Sequence, residues 1–223
     1  MASPIVAALR KKADAAWANL SRQLEGMEPY MERSNAPGQW TTRQVLCHLL
    51  FEPGWGPVAT LKTFSATDPP VIDVAPGQTK VTSERQKMTL KQFKEALDTQ
   101  RRETFAYLDA LGEDDLQRKS RIPVFKEIMG NDEVSLPVFV GVFFDYHWND
   151  HAGQLAKIRK AVGLPEAKSR CARSLGRCSR PRPCSRSRSG FSPASARSRR
   201  CARISPTPAS PALAPTPMCW SAR

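Results

Sequence analysis

Two of the chain's three histidines, His147 and His151, stand four residues apart in Asp145-Tyr146-His147-Trp148-Asn149-Asp150-His151-Ala152-Gly153-Gln154. On a helix, positions i and i+4 share one face. Two imidazoles so placed can chelate one metal ion. The third histidine, His48, lies far upstream in Val45-Leu46-Cys47-His48-Leu49-Leu50. The reading preferred here is that all three meet at one divalent ion. The competing reading keeps His147 and His151 as core histidines satisfied by hydrogen bonds. A buried imidazole pair is hard to satisfy that way, whereas a metal takes one nitrogen from each. Three neutral imidazoles leave the ion its full charge and at least one open position. Water there could lose a proton near neutral pH and attack an ester or amide. A low-molecular-weight thiol could instead bind as thiolate and attack an electrophile. The non-enzymatic alternative is a metal-stabilised bundle whose basic tail binds nucleic acid.

The neighbours of the histidines are weighed the same way. Glu52 is four residues after His48 and can share its face. It reads as a carboxylate orienting an imidazole or acting as a base, or equally as a solvated helix end. Gln154, three residues after His151, can orient that ligand or contact a bound cofactor or substrate. Asp145 and Asp150 leave the ligand face and read as solvated. Cys47 projects about 100° from His48 on a helix and reads as a small core residue rather than a nucleophile. Tyr146 and Trp148 suit packing as well as they suit a pocket wall.

The elements that must position these groups are helical. Ser3-Pro4 looks like an N-cap with proline at the first helical position. Ile5, Leu9, Ala13, Trp17, Leu20, Leu24 and Met27 then give a helical stripe, and helix 1 is predicted from Pro4 to Gly26. Thr41 and Gln44 form a capping box ahead of helix 2, which carries His48 toward Glu52. Pro53 should kink it, and Val58, Leu61 and Phe64 suggest that helix resumes to about Ser65. Residues 67–88 read as a long connection. Thr89 and Gln92 repeat the capping box for helix 3, with Gly112 as its terminator. Residues 113–134 read as irregular, with one apolar patch at 122–125. Ser135 starts helix 4, with Pro137 in its first turn. On its stripe, Val140, Phe144, His147, His151, Leu155, Ile158 and Val162 face the core. Gly163 and Pro165 end it. Four amphipathic helices without convincing strands predict an all-α four-helix bundle, the kind of fold that builds metal sites from inward-facing side chains.

Trp40-Thr41, then Val45-Leu46-Cys47-His48-Leu49 and Glu52, with His147-x-x-x-His151-x-Gly153-Gln154, resemble the DinB/YfiT-like superfamily of four-helix-bundle metalloproteins over about residues 4–165. The resemblance implies an up-down-down-up topology. It implies a metal, commonly zinc or nickel, held by the three histidines. It favours S-transfer from a low-molecular-weight thiol to a small-molecule substrate, and it allows a homodimer. The chain departs from the pattern at Pro53-Gly54 and at Ala152, where a basic residue or a further histidine is common.

Composition splits the chain after Ala167. The net charge is +13, from 34 Lys and Arg against 21 acids. Residues 168–223 hold 13 of those cations and no acid, so residues 1–167 are formally neutral. Five of the six cysteines also lie in that tail, in an Arg/Ser/Pro/Ala/Cys-rich sequence. The tail is expected to be disordered. It reads either as a polyanion-binding segment or, preferred here, as a frameshifted extension. The tail cysteines lack the paired spacing of a zinc module. One body cysteine, no secretory leader and no long apolar run predict a cytoplasmic protein without a membrane span.

Overall fold

The computed structural model describes residues 3–51, 56–74 and 77–167. The predicted tail, residues 168–223, and Glu52 through Trp55 lie outside them.

The first long helix, α1 (Pro4–Gln23), begins with proline in its first turn, but the Ser3 hydroxyl makes no capping bond. Its buried face is Val6, Ala13, Ala16 and Leu20, while Ile5 is exposed. The predicted stripe was therefore one residue out of phase at its start. α1 also ends earlier than Gly26, which terminates the following turn at φ +75°.

The capping box of Thr41 and Gln44 is present at α2 (Thr42–Leu49). This short helix buries six of its eight residues, including Cys47 and His48. It stops at Leu49, and Leu50 is already extended. A short α3 (Pro57–Lys62) follows. The second capping box, Thr89 with Gln92, opens α5 (Leu90–Asp109), which follows the small α4 (Ser83–Lys87). α5 ends at Ala110 in right-handed conformation, so Gly112 is not its terminator.

Ion pairs and hydrogen bonds fix the helix directions. Arg10 of α1 meets Asp109 at the far end of α5, and Arg101 of α5 pairs with Asp14. α1 and α5 are therefore antiparallel. Asn19 bonds Asn149 at 2.9 Å, and Arg159 bonds the Gln23 carbonyl at 2.9 Å. α1 and the last helix thus run the same way. At its start α2 places Arg43 over the Phe93 ring of α5, and Gln100 of α5 bonds the Leu49 carbonyl at the end of α2. α2 and α5 are parallel. The result is an up-down-down-up four-helix bundle.

Two successive helices in the same direction need a crossover, and this explains the long connection before α5. That connection is more structured than its composition suggested. It contains α4, and it is tied to a two-stranded antiparallel sheet formed by β1 (Lys119–Arg121) and β2 (Glu133–Ser135). Ser65 exchanges both backbone bonds with Lys119, and Arg121 accepts from Ile72 and donates to the Pro70 carbonyl. The segment expected to be irregular therefore holds both strands and α6 (Pro123–Met129), with Ile122 and Phe125 wholly buried.

The last helix is continuous over residues 136–161 but changes pitch. α7 (Leu136–Gly141) gives way to a π-helical segment (Val142–His147) and then to α8 (Trp148–Ala161). A π segment adds a residue to the turn and is frequent at functional sites. Here consecutive pairs, Phe143–Phe144 and His147–Trp148, are buried together. Gly163 at φ +77° ends the helix, as its position predicts.

Candidate metal centre

His48 comes from the last turn of α2, His147 from the end of the π segment and His151 from the first turn of α8. All three are buried. The structure brings them together. His48 Nε2 and His147 Nε2 are 2.9 Å apart, and each histidine offers a ring nitrogen within 4.8 Å of the other two. The ring centroids of the three pairs lie 4.7–5.0 Å apart. Histidine ligands at about 2.0–2.1 Å around a tetrahedral ion would hold their nitrogens about 3.3 Å apart, so little ring movement separates this arrangement from a coordinated one.

Hydrogen bonds between described residues engage the outward nitrogens of His48 and His151. His48 Nδ1 is 2.8 Å from the Gln78 carbonyl, which can only accept, so the proton sits on Nδ1 and the Nε2 lone pair faces the centre. His151 Nδ1 is 2.9 Å from Gln154 Oε1. With the amide oxygen accepting, His151 Nε2 also presents a lone pair. It is buried and has no hydrogen-bond partner among the described residues. A buried acceptor left in that state is costly. The donor set therefore fits a divalent cation.

Electrostatics point the same way. Burial pushes His48 down to about 3, helped by the neighbouring His151 and opposed by the Gln78 bond. His147 is held well below its ordinary value by burial, then by His151 and His48. Burial lowers His151 too, against the Gln154 bond and Asp150. All three imidazoles are neutral at pH 7, the state a metal requires.

Aromatic rings wall the cluster. Half-buried Trp40 stacks on His151 at 6.0 Å and tilts against His48 at 5.1 Å. Phe143 lies 5.7 Å from His147 and is itself covered by Phe51. Trp148 is fully buried against Trp17 and Phe144, so it packs the core rather than lining the site. Tyr146 is exposed, as is Asp150, while Asp145 reaches Lys12 and Asn149. Cys47 is buried, and burial raises its thiol to about 11, which makes it a poor nucleophile. A cleft of about 470 Å³ opens beside Thr41, Gln44, Thr79 and Gln86 at the other end of α2, and no triad histidine lines it.

Sequence reasoning missed the Gln78 carbonyl, because a backbone group carries no residue-type signal. It also missed the π segment, which has no composition signature.

The model of the DinB superfamily matches residues 7–155. The chain belongs to the DinB superfamily. Among solved structures it is similar to YfiT from Bacillus subtilis, described as a probable metal-dependent hydrolase with an unusual four-helix bundle topology. That likeness has a TM-score of 0.56 at 17% identity, covering 72% of this chain and 89% of YfiT. A search of curated proteins finds no match. In this DinB-like bundle the three-histidine cluster could hold a divalent metal ion. Among the described residues, no helix is long and apolar enough to cross a membrane.

Proposed function

We propose that this DinB-like protein is a divalent-metal enzyme acting on a small-molecule substrate by hydrolysis, with His48, His147 and His151 as ligands. The observation that supports it is the buried convergence of three neutral imidazoles whose ring nitrogens face one another. A divalent ion bound there supplies Lewis acidity and lowers the pKa of a water or thiol at its remaining positions. In this reading Gln78 and Gln154 hold two of the rings in register, and Trp40 and Phe143 keep bulk water from the flanks. YfiT's description favours hydrolysis, through likeness of fold alone.

Two other readings have support. The family resemblance favours S-transfer from a low-molecular-weight thiol, and zinc or nickel would accept such a ligand. A purely structural ion ordinarily takes four protein ligands. The cluster offers three among the described residues, and Cys47 is not one of them. This favours an open site.

One experiment separates the three. The purified protein is analysed for metal, then assayed on chromogenic esters and on an electrophile with added thiol, each with and without chelator. About one ion per chain and chelator-sensitive ester cleavage without thiol support hydrolysis. Turnover only with thiol supports S-transfer. A bound ion with neither activity supports the structural reading.

A further inference from the structure

The end of α2 that carries His48 is held by a buried arginine from the crossover. Helix C-termini leave their last carbonyls without helical partners. Arg85 fills that role from outside the helix. Its Nη1 donates to the Cys47 carbonyl at 2.9 Å and to the Leu50 carbonyl at 3.4 Å, and Nη2 donates to Phe51. The same Nη1 donates to the Lys80 carbonyl at 3.2 Å. Lys80 is two residues from Gln78, whose carbonyl accepts from His48. Among the described residues Lys80 is the non-glycine with positive φ, at +48°. Such a conformation is strained for an L-residue and persists only where surroundings hold it. Arg85 is anchored in turn. Its amide bonds Thr82 Oγ1, and its carbonyl accepts from Arg43 of α2 at 2.9 Å.

We propose that Arg85 is a positioning residue for the metal centre: by gripping the end of α2 and the Lys80 carbonyl together, it fixes the Gln78 carbonyl against His48 Nδ1 and so sets the ring's tautomer and depth. This rests on the proposed role of His48 as a ligand. Without the Arg85 side chain the end of α2 and the Lys80 carbonyl lose this shared grip. The Nδ1 partner then drifts, His48 populates both tautomers, and part of the population points an N–H at the ion.

A comparison is built into the fold. Arg159 is also buried and grips carbonyls at a helix end, those of Gln23, Glu25 and Pro165, where α1 finishes. It shares the chemistry of Arg85 but does not touch the histidine cluster.

The test uses the full chain and cobalt(II), read by its visible absorption and by competition with a chelator. Arg85→Gln is expected to bind cobalt about 10–100-fold more weakly, the usual effect of losing an outer partner of a metal ligand, and Arg85→Lys to fall between. Arg159→Gln should melt at a lower temperature yet keep wild-type cobalt affinity. Nitrogen NMR of the metal-free wild type should find His48 protonated at Nδ1, and Arg85→Gln should show both tautomers. A folded Arg85→Gln with wild-type affinity overturns the proposal. So does equal loss in Arg159→Gln, or a wild-type His48 protonated at Nε2. If neither Arg85 variant folds, position 80 decides. Lys80→Gly keeps the required φ and should bind cobalt as wild type does, while Lys80→Pro cannot adopt it and should bind as weakly as predicted for Arg85→Gln. Wild-type affinity in Lys80→Pro overturns the proposal. If the wild type takes no cobalt at all, the metal reading fails, and the tautomer measurement still judges Arg85.

Discussion

At the residue scale, the three histidines are not interchangeable. His147 and His151 come from one helix and their spacing alone aligns them, whereas His48 depends on a second helix end and a loop carbonyl. Replacing any of the three with Ala should reduce bound metal from about one ion per chain to a small fraction, measured by elemental analysis after dialysis. Two imidazoles remain in each case, and two chelate weakly. Gln154→Ala is a milder lesion. It removes the acceptor that fixes His151 Nδ1 and should weaken metal binding about 10–100-fold, read by chelator competition. Wild-type affinity in Gln154→Ala would leave that glutamine a packing residue. The metal-free protein should also show these histidines in its pH response. Each has a folded pKa below its unfolded value near 6.5, so below that pH the unfolded chain takes up protons that the folded chain refuses. Their contribution is intact above about 6.5 and is lost as pH falls toward about 3, the value for His48. Melting temperature measured from pH 7.5 to 4.5 should fall more steeply for the wild type than for His147→Leu, which has no imidazole to protonate there.

At the element scale, α2 is the vulnerable part, because its eight residues carry the proposed ligand His48 and its far end is held by side chains from elsewhere. Gln100 is the second of these. From the middle of α5 it donates to the Leu49 carbonyl at 3.2 Å and accepts from the Phe51 amide at 3.2 Å. Gln100→Leu fills similar space and leaves both backbone groups unpaired. It should destabilise the fold by about 2–4 kcal/mol, by chemical denaturation. A loss well under 1 kcal/mol would show that water replaces the amide. Both capping boxes and the core stripe of the last helix were legible in the sequence, because caps and periodicity are local signals. The same locality hid the rest. α1's stripe was misphased at Ile5 because Val6 is equally apolar, and only packing chooses between them. The strands at 119–121 and 133–135 are too short to show alternation, and their pairing is with each other and the crossover. The π segment leaves no pattern because Phe143 and Trp148, each next to a stripe residue, are themselves apolar, so a widened turn reads as a thicker helix. At the site, the residue types named the three histidines and Gln154, while the Gln78 carbonyl and the Arg85 grip depend on a chain path that composition does not encode.

At the scale of the whole molecule, the last helix is closed off by described residues that precede the change in composition. The Gly163 amide bonds the Lys160 carbonyl, and the Leu164 amide bonds that of Arg159. Arg159 then reaches forward to the Pro165 carbonyl and back to the end of α1. The last helix is thus terminated, and its terminus joined to α1, by residues that all precede 168. Each of those bonds joins described residues, and residues 1–167 balance 21 cations against 21 acids. A chain ending at Ala167 is therefore expected to keep the bundle and the histidine cluster. Its melting temperature should lie within about 2 °C of the full chain, since in a domain of this size 1 kcal/mol moves the midpoint by about 2–4 °C. Its metal content should be unchanged. Any affinity for RNA should disappear with the tail, and in the full chain that affinity should fall steeply between 50 and 200 mM salt, about 0.9 or less in log–log slope per phosphate neutralised. Calorimetry, elemental analysis and a salt-dependent RNA titration on the two chains give the comparison. A truncated protein that melts many degrees lower would place folding information in residues 168–223 and move the boundary of the domain beyond Ala167. Equal RNA binding by the two chains would assign the basic surface to the bundle itself.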